Sequence, residues 1–266
     1  MHLFYFKKQE SILILILLLW TLNVFSQPDA FLQANSAKEW QLVFKDKCTT
    51  DWTKHWTLDG LIASVENTKK GMHFKAGPEA KNDAHHAVIW TKASFNGDIK
   101  IKYDYTRTDH AIRWVNILYI QATGNSEKGF APDISTWEKS RKIPTMKTYF
   151  ENMNLLHISY AAFNNIGDST YYVRARRYPK PSNNNFNATR ITPSYDELGY
   201  FKTGQKYHIT VIKTKRHLFF KMKSKDQEEL FSWDISKIDS ITTGRIGLRH
   251  MYTRSALYKN FKIYSK

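Results

Sequence analysis

Between residues 171 and 178 the sequence reads Tyr-Tyr-Val-Arg-Ala-Arg-Arg-Tyr. In a β-strand, where successive side chains point to opposite faces, this run puts Tyr172, Arg174, Arg176 and Tyr178 on one side. Two guanidinium groups between two phenol rings suit a carboxylated or sulfated sugar. Planar forks pair with oxyanions, and aromatic rings stack on pyranose faces. A solvated sheet face on which Arg and Tyr stack on one another would show the same spacing. Other donors of this kind recur along the chain. His157 shares a face with Ser159, and His110 follows Arg107 and Asp109 in a turn leading to Arg113. Asn116 interrupts the most apolar stretch, and Arg249, His250 and Arg254 lie near the end.

This inventory of Arg, His, Tyr and Asn matches β-elimination at a uronic acid. The C5 proton leaves only if the neighbouring carboxylate is neutralised, a task for Arg113, Asn116, Arg174, Arg176, Arg249, His250 or Arg254. Donors that hold the enolate-like intermediate are worth roughly 10²–10³ in rate. Among His110, His157 and Tyr172, a His or Tyr then removes the proton and a Tyr or His protonates the oxygen leaving C4, with Tyr178 beside the sugar. If that oxygen belongs to the next sugar the enzyme is a polysaccharide lyase, and if it is a hydroxyl the enzyme is an oligosaccharide dehydratase. The same face without a proton-transfer pair would serve a non-catalytic carbohydrate-binding protein for anionic glycans.

Other chemistries fit less well. The alternating carboxylates of a retaining glycosidase are missing, and the groupings Asp226 to Glu229 and Asp196-Glu197 read as solvated turns. His85 and His86 are adjacent, so on a strand they diverge and cannot share a metal. The expected site uses no metal and no organic cofactor. The expected partner is an anionic poly- or oligosaccharide rather than a nucleic acid.

Strands must position these residues. Residues 99–105 alternate cleanly, with Ile99, Ile101, Tyr103 and Tyr105 opposite Lys100, Lys102 and Asp104. Further short strands are expected near 40–44, 56–61, 72–75, 87–91, 113–121, 155–163, 170–178, 205–213, 218–223, 245–250 and 256–264. Many short strands with Gly-containing turns predict an all-β, antiparallel two-sheet β-sandwich. One short helix is expected near Ser135 to Arg141, where Ser135 and Glu138 have capping-box spacing. Two long loops, Asn125 to Asn154 and Tyr178 to Gly199, carry the irregular chain.

The chain has 266 residues, 40 basic against 24 acidic, a formal charge of +16 and 15% aromatic residues. Such a balance favours a polyanionic partner. A single cysteine, Cys48, excludes an intrachain disulfide framework. Residues 1–26 read as an export signal: Lys7 and Lys8, an apolar run from Ile12 to Trp20, and a small residue, Ser26, before Gln27-Pro28. Residues 27–266 are then one β-sandwich domain, periplasmic or secreted and free of the membrane once the signal is cleaved.

Several motifs together resemble a known family. They are Phe95-Asn96-Gly97-Asp98 before an alternating strand, the stretch Asn116 to Gly124, His157-Ile158-Ser159-Tyr160, Gly244-Arg245-Ile246-Gly247-Leu248-Arg249, and Tyr258-Lys259-Asn260-Phe261-Lys262-Ile263. They are similar to the concanavalin A-like lectin/glucanase superfamily and, within it, to YesU-like jelly-roll proteins, over most of residues 40–264. The resemblance implies a jelly roll whose concave face receives a sugar chain, in bacteria that degrade plant or algal acidic polysaccharides. It leaves room for a structural calcium and assigns no catalytic residue. The Phe25-Ser26-Gln27 ending is similar to signal ends of marine Bacteroidetes.

Overall fold

The structure, a computed structural model, describes residues 26–163, 171–181 and 185–266. The export signal falls almost wholly outside the described residues. Helix α1 (Gln27–Ser36) leads into β1 (Gln41–Asp46), β2 (Trp56–Asp59), β3 (Ser64–Thr68), β4 (Gly71–Lys75) and β5 (Ala87–Asn96). Then come β6 (Ile99–Arg107), β7 (Asn116–Gly124), a 3₁₀ segment (Ile134–Arg141), helix α2 (Met146–Asn152), β8 (Met153–Phe163) and β9 (Tyr171–Tyr178). The chain finishes with β10 (Arg190–Asp196), β11 (Lys206–Lys213), β12 (His217–Lys223), β13 (Glu228–Asp234), β14 (Thr243–His250) and β15 (Ser255–Ser265).

Two antiparallel sheets face one another, as the alternating patterns predict. The first runs β13-β12-β11-β6-β15-β4-β3, with β1 also paired to β15. The second runs β10-β9-β8-β7-β14-β5-β2. Ile101, Tyr103 and Tyr105 of β6 meet Leu118 and Ile120 of β7 and Leu156 and Ile158 of β8 across the interior. Burial of such side chains, each worth roughly 1.5–3 kcal/mol, is what holds the two layers together. Gly97 turns the chain from the second sheet into the first at φ +72°, and a Cβ there would lie 2.6 Å from the Lys266 carbonyl oxygen. The corner therefore takes glycine.

Three strands are absent from the sequence reading. β3 is short and polar, β10 lies inside the expected loop 178–199, and β13 begins inside the expected acidic turn 226–229. The helix expected at Ser135 is a 3₁₀ segment kinked at Trp137 and capped by Asp133, whose side chain accepts from the Ser135 amide. His85 belongs to a 3₁₀ turn, not a strand. Among the described residues no helix is long and apolar enough to cross a membrane.

Candidate functional site on the outer face of the second sheet

The second sheet carries a second apolar cluster on its outer face. Val88, Trp90, Ile117, Tyr119, Met153, Leu155 and Tyr178 pack there beneath Ile134 and Tyr149 of the segment between β7 and β8. That segment, expected as an irregular loop, folds back over the sheet and roofs it. Asp59 fastens the roof: its Oδ2 accepts from Trp90 Nε1 at 2.7 Å, Tyr149 OH at 2.9 Å and Arg141 Nε at 2.6 Å. Arg141 also donates to the Ile134 carbonyl at 2.7 Å.

Strand register determines which polar groups meet under this roof. One cross-strand row runs Arg176, His157, Tyr119, Gly247 and Trp90 over β9, β8, β7, β14 and β5. The next runs Arg174, Ser159, Ile117, Arg249 and Val88 over the same strands. A bulge in β8 between Ser159 and Ala162, with Ala161 at φ +45°, keeps both Ser159 and Ala162 on this side of the sheet. Gly247 has a purpose in its row. A Cβ there would stand 2.5 Å from the Trp90 ring, so only glycine lets the indole lie flat across β14. Trp90, Tyr119 and Tyr149 then stack nearly parallel, with interplanar angles of 12°, 16° and 8°.

His157 is buried between two hydroxyls, with Tyr178 OH 2.9 Å from Nδ1 and Ser159 Oγ 2.6 Å from Nε2. Burial, then Arg176 and Arg249, hold its pKa well below the ordinary histidine value, so the ring is neutral. Burial pushes the Tyr178 phenol well up, and it raises Tyr172 too, against the pull of Arg174. Both phenols keep their protons at neutral pH.

The arginines differ in how they are held. Arg174, at the half-exposed edge, stacks on Tyr172 at 4.0 Å, donates to Ser194 Oγ at 2.6 Å and pairs with Asp196. Arg176 is buried, over the Phe186 ring at 4.3 Å, with Nη1 donating to Thr189 Oγ1 at 2.9 Å and the Phe186 carbonyl at 3.2 Å. Arg249 is fully buried beside Tyr149, donating from Nη2 to the Pro144 carbonyl at 2.6 Å. Its remaining guanidinium nitrogens lie beside the Tyr119 hydroxyl, whose pKa burial raises and Arg249 draws down. Neither Arg176 nor Arg249 meets a carboxylate among the described residues.

Six of the residues expected at the site therefore share this face: His157, Tyr172, Arg174, Arg176, Tyr178 and Arg249. The others do not join them. Asn116 and His250 are cross-strand neighbours pointing into the interior, where Asn116 Nδ2 donates to Tyr105 OH at 2.6 Å. His250 stacks on Phe74 and its Nε2 lies 2.8 Å from Tyr258 OH. Arg254 is a buried tie at the end of the sandwich, donating to Asp109 Oδ2 at 3.0 Å and to the Trp114 and Ala161 carbonyls. His110 and Arg113 are exposed on the loop after β6. Asp59, Tyr119, Arg141 and Tyr149 escaped the sequence reading of the site. Asp59 and Tyr149 are 90 residues apart and no spacing rule joins them.

Among the described residues no three His, Cys, Asp or Glu side chains converge where a metal ion could sit. A cavity of about 560 Å³ adjoins the end of β9, lined by Asn125, Asn154, Arg177 and Lys180 among others.

A family model described as a domain of unknown function, DUF1961, matches residues 41–263. The chain belongs to the DUF1961 family. No curated protein matches it. A Bacillus subtilis protein of unknown function with a galectin-like fold has a similar structure, at a TM-score of 0.65 and 18% identity, covering 86% of this chain and 97% of that one. The carbohydrate recognition domain of Emp47p gives 0.54 at 13% identity over 86% and 98%. The lectin UEA-II, solved with galactose, gives 0.54 at 6% over 84% and 98%. At these identities the likeness is one of fold: this DUF1961 chain is a galectin-like, concanavalin A-like jelly roll.

Proposed function

We propose that the chain binds an anionic saccharide on the outer face of its second sheet. The observation that carries this is the pair Arg176 and Arg249, both buried on that face without a carboxylate partner among the described residues. A buried cation left without a counter-charge costs several kcal/mol, a cost that a bound carboxylate or sulfate offsets. Arg174, half-exposed at the margin and stacked on Tyr172, can exchange its pairing with Asp196 for an anion on the sugar. The lectin-like folds of the structural neighbours support a carbohydrate as the bearer of the anion.

A second reading, elimination at a uronic acid, is favoured by the His157–Tyr178 contact and the neutral imidazole. In the tautomer with its proton on Nδ1, His157 has an Nε2 lone pair that the Ser159 hydroxyl occupies. Rotation of that hydroxyl frees it to take the C5 proton. The C–H electrons form the C4=C5 double bond, the C4–O bond breaks, and the leaving oxygen takes the proton of the Tyr172 phenol. Access to this site requires the roof of residues 134–149 to lift, after which Arg176 and Arg249 hold the carboxylate throughout.

The test is a panel of uronate and sulfated oligosaccharides, read by calorimetry, ultraviolet absorbance and mass spectrometry. Binding that falls in an Arg174→Ala, Arg176→Ala variant supports the site. Loss of water from the sugar marks a dehydratase, cleavage into fragments that together show no net mass change marks a lyase, and binding without product leaves a binding protein. Failure to bind any anionic glycan in the panel refutes the reading.

A further inference from the structure

The outer face of the first sheet, on the opposite side of the molecule, holds lysines in cross-strand register. Lys45 of β1 is paired with Lys262 of β15, and Lys262 with Lys102 of β6. Lys102 then pairs with Thr210 of β11, and Thr210 with Lys221 of β12. Their neighbours Phe44, Ile101, Phe261, Ile263 and Phe220 point into the core, so the whole row points out. Like charges directly opposite one another destabilise a strand pair, and here two such pairs adjoin.

The acids nearest the row are engaged elsewhere. Asp104 Oδ1 meets His208 at 2.6 Å and its Oδ2 accepts from Asn260 at 2.8 Å. Glu228 is held by Lys221 and Lys223 at 2.5 and 2.6 Å. Lys45, Lys102 and Lys262 have no carboxylate partner among the described residues. In the next row Lys100 is wedged between the rings of Trp40 at 4.9 Å and Tyr264 at 5.2 Å, and Lys266 lies over Trp40 at 5.1 Å. Burial, then Lys102 and Lys266, lower the Lys100 pKa to about 8, in keeping with a concentrated positive potential.

We propose that the Lys45–Lys262–Lys102 row is a second binding surface, which takes a linear polyanionic polysaccharide laid across the strands of the first sheet. Adjacent strands are ~4.8 Å apart, so the amines repeat with a spacing comparable to the rise of one pyranose in an extended chain. Tyr264, half-exposed beside the row, supplies a ring for stacking. A small ligand would not need a straight row, whereas a polymer with one anion per repeat engages all of it. The choice of polysaccharide over other polyanions rests on the function proposed above, and the site on the second sheet is separate from this one.

The experiment compares the full chain with a Lys45→Gln, Lys102→Gln, Lys262→Gln variant. The probes are dextran sulfate and polygalacturonate as polymers, a short galacturonate oligomer, and vesicles containing phosphatidylglycerol. The variant should hold the polymers roughly tenfold more weakly, three partly exposed ion pairs acting together, with a shallower salt dependence. Its binding of the short oligomer should be unchanged. Its melting temperature should be equal or higher, since repulsion is relieved, so loss of polymer binding cannot be read as loss of fold. Equal polymer affinity in the two proteins would overturn the proposal. So would lysine-dependent binding of the vesicles with no lysine dependence for the polymers. Polymer binding that depends on the row while no short oligomer binds at all would sustain this surface and sink the site on the second sheet instead.

Discussion

Acidification from pH 7 to pH 5 should destabilise this protein by several kcal/mol through its buried histidines. Three imidazoles, His86, His157 and His250, are buried, and burial comes first among the causes that push their pKa values down. The values are about 2 for His86 and about 3 for His250, and well below the ordinary range for His157. His86 lies 3.2 Å from Asp83, a contact that favours its charged form, but Asp83 is exposed and burial against Tyr252 prevails. In each case the folded pKa is below the unfolded value of about 6.5, so protons bind the unfolded chain first. The stability these groups contribute is whole above pH 6.5 and is lost as pH falls toward the folded pKa. Each imidazole costs about 2 kcal/mol between pH 7 and 5, so the three together cost on the order of 6 kcal/mol. That is comparable with the entire stability of many domains, about 5–15 kcal/mol. Asp59, whose carboxyl burial raises, opposes the trend in part. Urea titrations at pH 7, 6 and 5 measure the effect, and a His250→Gln variant should lose about 1.4 kcal/mol per pH unit of the slope below pH 6.5. Stability that stays level between pH 7 and 5 would refute the reasoning, because the rings would then be charged or solvated in the native state.

Three further outcomes are expected. Gly247→Ala drives a methyl group into the Trp90 ring and should cost about 1–3 kcal/mol, with a changed near-ultraviolet circular dichroism spectrum from the displaced indole. Asp59→Ala leaves Arg141 buried and unpaired, so chemical denaturation should show a loss of about 3–5 kcal/mol and limited proteolysis should cut first between residues 125 and 152. Tyr178→Phe removes the partner of His157 Nδ1; it should lower stability by about 1 kcal/mol and, if product is formed from uronates, reduce turnover more than affinity.

Alternation made much of the second sheet legible from sequence. The stripe Tyr172, Arg174, Arg176 and Tyr178 is on one face as its spacing requires, and His157 and Ser159 continue that face because β8 is in register with β9. The same rule separates Arg249 from His250, adjacent on β14, and it sends His250 and Asn116 inward. Grouping them by chemistry alone overlooked it. What spacing could not reveal were contacts made over long separations. Asp59 reads as half of an Asp-Gly turn, yet it is the acceptor that ties Trp90, Arg141 and Tyr149 together. The roof over the site carries few apolar residues in a regular period, so only the tertiary fold shows that it is a roof. β10 was hidden because its residues include Pro193 and sit between polar, turn-like stretches.

The place of β15 bears on how the protein comes into being. Among the described residues this strand is the one partner of β1 and the link between the β3–β4 pair and β6. Until residues 255–265 have been synthesised, β1, β3 and β4 have no sheet to join, and their apolar sides stay uncovered. Folding of this half must wait until residues 255–265 have emerged from the ribosome, leaving aggregation-prone strands that a chaperone would have to shield in the interval.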